Sequence, residues 1–226
     1  MEAVLHKIIP NVMSKIPELV ECTKQTVYML AVSGLISFII GLLFGIALII
    51  TGPKGILKNN IIYSVMDKVV NLFRSIPFVI LLASLIPLTR LVVGSAIGTR
   101  GAILPLIFGT VPFFAKQVET ALSEVDEGLI EAAEAMGTSP IAIIFRVYLK
   151  ESIPALARVT TITAVSLIGL TAMAGAIGGG GLGDFAIRYG HQRNQVDITY
   201  VTVFILLIIV MVLQGIGNLI IKKATH

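Results

Sequence analysis

The sequence predicts an all-α integral membrane protein with about five transmembrane helices. Of its 226 residues, 56% are hydrophobic and only 13% charged, and the mean hydropathy is +0.95. An ordinary globular domain carries roughly a quarter charged residues, so a soluble chain of this length would lack the charge its surface needs. The few charges are also unevenly spread. No Asp, Glu, Lys or Arg occurs between Lys24 and Lys54, between Arg158 and Asp184, or between Asp197 and Lys222. A helix needs roughly 20 apolar residues to cross the hydrocarbon, and all three stretches exceed that length.

Taken in chain order, the first segment is broken by Pro10 and Pro17 and studded with Lys7, Lys15, Glu18, Glu21 and Lys24. It has neither a continuous apolar core nor a small-residue cleavage site, so an interfacial amphipathic segment over 1–21 is expected rather than a cleaved signal. A single transmembrane domain over 22–221 and a short tail, 222–226, complete the organisation. The first span contains Gly41 and Gly45, a GxxxG spacing that lets helix backbones approach closely. Two shorter uncharged stretches follow, Ser75–Thr89 and Gly101–Ala115, each of about 15 residues. They reach spanning length only if their helices continue through Asp67, Lys68 and Arg74, and through Lys116 and Glu119. Those charges would then sit at the water boundary or inside the bundle, because a charge at the bilayer centre costs roughly 3 kcal/mol or more. Pro77, Pro87, Pro105 and Pro112 predict kinks in these two spans. The Lys and Arg counts on the two sides are nearly equal and favour an outer N-terminus by a narrow margin.

Between the third and fourth spans lies a long loop at about 116–158. Glu131, Ala132, Ala133, Glu134, Ala135 and Met136 form a run of good helix formers, and Gly137 suits the position just past a helix end, where φ turns positive. Ser139 then reads as an N-cap and Pro140 as the first residue of a second helix, Pro140–Lys150. Leu129, Ile130, Ala133 and Met136 can share an apolar face, with Glu131 and Glu134 beside it. Such a helix suits insertion into a partner's groove or rest against its own bundle.

This loop resembles the EAA motif of ATP-binding-cassette importer permeases, in which Glu-Ala-Ala is followed after three residues by Gly and then by a run ending in an apolar residue, any residue, Leu and Pro. Glu131, Ala132, Ala133, Gly137, Val147 and Leu149 match, whereas Lys150 stands in the proline position and Pro154 follows four residues later. The stretches Asn71–Leu82, Ile86–Arg90 and Gly175–Asp184 are similar to the methionine-importer permeases within that superfamily. The resemblance, over roughly 22–220, implies the type I importer fold in an inner membrane. It also implies pairing with a second copy of the chain, two ATP-binding-cassette ATPase subunits below, and a substrate-binding lipoprotein or periplasmic protein above. By similarity Glu131, Ala132, Ala133, Met136 and Gly137 couple the permease to its ATPase.

Other features carry less. The run Gly178–Gly183 spells GxGxxG, but a dinucleotide site would need a preceding strand, and a membrane helix precedes it. It reads as the flexible exit of the fourth span, leading toward Arg188, His191 and Arg193. There is no GxxxxGK[ST], so ATP phosphates would be held by another chain. His6, His191, His226 and the single Cys22 form no metal-ligand set, and no cofactor or nucleic-acid partner is expected. Asp67 and Arg74 lie seven residues apart on one helix face and suggest structural pairing or interface anchoring rather than a substrate contact; Gln214 and Asn218 suggest helix-to-helix hydrogen bonding rather than substrate binding. Met173, flanked by Ala172, Gly175 and Ala176, is a candidate gate on a two-fold axis, with generic core packing as the other reading. A secondary carrier would place acidic groups inside its spans, and the three clear spans have none. The loop pattern does not itself distinguish methionine from another small solute.

Overall fold

The computed structural model describes residues 9–224, and among them the regular structure is helical. The elements in order are α1 (Pro10–Met13), α2 (Ile16–Thr51), α3 (Asn60–Ser75), α4 (Phe78–Ser84), α5 (Ile86–Val93), α6 (Gly98–Ser123), α7 (Glu127–Ala135), α8 (Pro140–Ile143), α9 (Leu149–Glu151), α10 (Ile153–Ala174), α11 (Gly181–Phe185) and α12 (Val196–Ala224). Pro10 and Pro17 each fall in the first turn of a helix, where the missing N–H costs nothing. Glu18 and Glu21 therefore lie on the long helix α2.

Four helices are long and apolar enough to cross a bilayer: α2, α6, α10 with its continuation to Gly179, and α12. Where the remaining crossing is expected, at Ser75–Thr89, the chain is instead broken into short helices. Pro77 forces the residue before it out of the helical region, and Ile76 accordingly adopts φ −81° and ψ 123°. Helix α3 stops at Ser75, α4 stops at Ser84, and Pro87 sits in the first turn of α5. Pro105 and Pro112, by contrast, are carried within α6 without interrupting it.

The chain divides into two compact units. One comprises the chain up to Leu35, Pro77–Phe108 and Ala164–Leu213. Its core gathers Val12, Leu19, Cys22, Leu182, Phe185, Tyr189 and Ile198. Asp197 fastens α1 by accepting from Asn11 N (2.9 Å), Asn11 Nδ2 (2.9 Å) and Val12 N (3.3 Å).

The other unit comprises Ile36–Ile76, Gly109–Thr163 and the chain from Gln214 on. Its core is one face of α6, Phe114, Val118, Ala121 and Leu122, joined by Val125, Ala133, Ile143, Tyr148 and Val159. The GxxxG glycines of α2 make close approaches in this unit. A Cβ on Gly41 would stand 2.8 Å from Phe114 Cδ1, and one on Gly45 would stand 2.8 Å from the Ala115 carbonyl and closer still to Val118. On α12, Gly217 is used in the same way against Thr161, whereas Gln214 and Asn218 are exposed.

Helix packing this close leaves no room for a methyl group. Gly45→Ala is expected to lower stability by about 1–3 kcal/mol through overpacking. Gly34→Ala on the same helix, whose Cβ would meet Leu167 at an ordinary 3.5 Å, should be neutral or mildly stabilising. Thermal unfolding of the purified protein in detergent compares the two.

Candidate functional site

The loop after α6 folds as a capped pair of helices. Val125 is buried and anchors its start. Asp126 is the N-cap of α7, its carboxylate accepting from Gly128 N at 2.7 Å. At the other end Gly137 adopts φ +74°. Gly137 N donates to the Glu134 carbonyl (2.9 Å) and Thr138 N to the Ala133 carbonyl (3.1 Å), the paired bonds of a Schellman cap. A Cβ at Gly137 would meet nothing within 4 Å, so the backbone angle alone calls for glycine. Ser139 caps the next helix by accepting from Ala142 N at 3.4 Å, and Pro140 opens it.

That second helix departs from the regular Pro140–Lys150 expected of it. After α8 the chain widens into a π-helical turn, Ile144–Tyr148, before α9. Ile143 and Tyr148, five residues apart, are both buried in the core on α6, and a π turn brings that spacing toward one side. Burial holds the Tyr148 phenol above its ordinary pKa, with Glu134 and Glu127 adding to the shift. Ser152 ends the loop with its hydroxyl on the Ala121 carbonyl (3.4 Å), and Pro154 falls in the first turn of α10, so Lys150 in the motif's proline position leaves the exit helical.

The expected apolar face of α7 splits in two. Ala133 is buried and Ile130 packs on the α6 core, whereas Leu129 and Met136 point outward. Met136 is 78% exposed, and on the following segment Ile141 and Phe145 are 69% and 65% exposed. Glu131, Ala132 and Glu134 are exposed alongside. The result is a raised apolar ridge flanked by carboxylates, seated on its own bundle through only part of its apolar surface. The inward edge of the stripe rests on its own bundle, and the outward edge is left exposed.

The second candidate region lies in the other unit. Helix α10 ends at Ala174 in a π turn, Gly175–Gly179, and the chain folds back into α11. Gly178, Gly180 and Gly181 have φ of +91°, +74° and +77°. A Cβ on Gly175 would lie 2.6 Å from Asp184 N, and Gly183 packs directly on the Ala172 backbone. The N–H groups of Gly181 and Leu182 donate to Gln25 Oε1 and Thr26 Oγ1, both at 2.8 Å. The GxGxxG therefore follows a helix rather than a strand, and two of its amides, those of Gly181 and Leu182, are already taken by side chains of α2. It is a pinned reversal rather than a flexible exit.

Among the gate candidates, Ala172 and Gly175 serve this internal packing, while Met173 and Ala176 are exposed beside Ile177. Next to the turn, Arg188 joins Glu18 and Asp184, each at 2.9 Å, and Tyr189 donates to Glu18 at 3.0 Å. Arg188 and Arg193 each stand 4.7 Å from the Tyr189 ring centre. Desolvation opposes the Arg188 charge, but Asp184, Tyr189 and Glu18 together outweigh it and raise its pKa. The Gln25 and Thr26 caps and the Glu18 pairing join positions more than 150 residues apart, and no local pattern signals them.

Comparison with known proteins places this architecture. The methionine import system permease protein MetP of Bacillus subtilis is 46% identical over 215 residues, covering 95% of this chain and 96% of that one. The probable D-methionine transport system permease protein MetI of Vibrio cholerae is 44% identical over 208 residues, 92% of each. A chain of the MetNI methionine ABC transporter, solved in inward-facing conformations, superposes with a TM-score of 0.92 at 41% identity, covering 94% of this chain and 99% of that one. An amino acid ABC transporter solved with histidines has a TM-score of 0.77 at 15% identity, which shows a shared fold. Residues 37–226 match the family model described as binding-protein-dependent transport system inner membrane component, and the chain belongs to that family.

Proposed function

We propose that this chain is the transmembrane permease subunit of an ATP-driven importer of methionine, in its D or L form. The observation that carries this reading is near-full-length likeness to two methionine permeases and to a chain of a methionine transporter. The protein works as a pair of copies in the inner membrane. Two ATP-binding-cassette subunits supply the hydrolysis, and a substrate-binding protein delivers cargo from outside. This chain performs no covalent chemistry.

The docking ridge suits the role of transmitter. Met136, with Leu129 beside it, enters a groove of the ATPase; Glu131 and Ala132 border the contact; Ala133 and Gly137 fix the rod to its own bundle at a set angle. A helix capped at both ends and buried along one edge moves as a rigid body, so nucleotide-driven closure of the ATPases displaces α6 and α10 together with it. Transport follows because ATP and loaded binding protein each favour one of two arrangements of the bundle. Met173 and Ala176, with the exposed Ile177, are positioned to close the path in one of them.

Two measurements test this reading. Membrane vesicles or proteoliposomes carrying the permease, its ATPase and its binding protein are expected to accumulate labelled methionine only when ATP is present. Accumulation of a different amino acid with no competition from methionine would overturn the cargo. In the same preparation Gly137→Val should reduce methionine moved per ATP hydrolysed by about five-fold or more. A left-handed φ costs a β-branched residue about 1–2 kcal/mol and tilts the cap. Gly137→Asn, which tolerates that φ, should retain most of the coupling.

A further inference from the structure

Helix α3 meets its surroundings through one buried apolar side chain, Val70, and through a group of charges. Its N-cap Asn59 accepts from Ile61 N and Ile62 N, and its C-terminus is cut by the extended Ile76, so non-helical joints bound it on both sides. Ile61, Val65 and Leu72, on one stripe, are exposed. The opposite stripe faces α6. There Asp67 pairs with Lys116, which also holds Glu119 Oε2 at 2.6 Å and stands 6.0 Å from the Tyr63 ring. The side chains of Lys116, Glu119 and Asp67 are only 18%, 16% and 28% exposed. The seam continues through Asn71, which donates to Asp67 at 3.0 Å and accepts from Arg74 at 3.3 Å. Asp67 and Arg74, expected to pair, are thus joined through Asn71.

Lys116 answers two partly buried carboxylates, and the exposed Arg74, reached through Asn71, brings the chain of contacts to neutrality. Losing Lys116 would strand two carboxylates on facing helices. The same helix α6 carries, within two turns of Lys116, the Val118, Ala121 and Leu122 face on which the docking loop sits. Helix α3 and the docking loop are therefore fastened to one rod, the loop by apolar burial and α3 by the Lys116 seam.

We propose that Lys116 is a positioning residue for transport: through Asp67 it makes α3 follow α6 when the docking loop moves. This rests on the importer reading above. Without the seam, α6 still moves with the loop, but α3, hinged at both joints, no longer keeps step, and ATP is spent without a matching displacement.

The test uses the full assembly of permease, ATPase and binding protein. Lys116→Met and Asp67→Asn are each expected to lower methionine moved per ATP hydrolysed by about five-fold or more. The charge swap Asp67→Lys with Lys116→Asp is expected to recover at least half of that loss, a rescue that simple destabilisation would not give. Wild-type stoichiometry in Asp67→Asn, or no recovery in the swap, would overturn the proposal. A second readout needs no cargo. Spin labels at Lys68→Cys and Ser123→Cys, in a Cys22→Ala background with one permease copy labelled, report the α3-to-α6 distance. One distance with and without ATP in the parent, and two populations in Lys116→Met, support the seam. An unchanged distribution in Lys116→Met sinks it. Failure of methionine uptake in the parent would remove the cargo assignment while the distance measurement still decides Lys116.

Discussion

A loop of some thirty residues, 124–152, leaving a membrane bundle would be expected to move independently, and a mobile loop transmits no force; the burial of Val125, Ala133, Ile143 and Tyr148 against one face of α6 prevents that here. Each large side chain so buried contributes roughly 1.5–3 kcal/mol, enough in sum to hold two short helices that would be marginal alone. The contact also dictates local geometry. The cap at Gly137 turns the chain so that both helices reach the same core, and the π turn at Ile144–Tyr148 keeps the second one there. The outward ridge of Leu129, Met136, Ile141 and Phe145 exists because the inward edge is already satisfied.

Glycine does two separate jobs in this chain. At Gly41, Gly45, Gly183 and Gly217 it provides absence of volume, letting its backbone approach side chains or, at Gly183, the backbone of Ala172. At Gly137, Gly178, Gly180 and Gly181 it provides a sign of φ. The distinction predicts different substitution behaviour: bulk is penalised in the first group, backbone handedness alone at Gly137 and Gly178, and both at Gly180 and Gly181. In the bilayer the first matters more than in water, because packing rather than hydrophobicity drives helices together there.

Much of the docking segment was legible in the sequence because its signals are local. Ser139 before Pro140 marks an N-cap, and Gly137 after a run of helix formers marks a C-cap; both rest on bonds within a few residues. The three uncharged stretches were legible by length alone. The interruption at Ile76 was only half visible, since Pro77 announces a kink but not whether a neighbouring helix will absorb it, as happens at Pro105 and Pro112. The split of the α7 stripe was invisible because Leu129 and Ala133 are alike to any periodicity, and only packing against the α6 core separates them. The Lys116 seam, the Gln25 and Thr26 caps and the Glu18 pairing are agreements between distant positions. No single segment records them.

Helix α3 turns its one carboxylate, Asp67, toward its own protein, while Ile61, Val65 and Leu72 are left open by the single chain. Both contributions reverse in an aqueous setting: water would weaken the ion pair and penalise the apolar stripe. The surfactant or lipid annulus around this helix therefore acts as a ligand of the folded state, and a short-chain micelle that thins over residues 60–75 would loosen this element ahead of the long spans on either side.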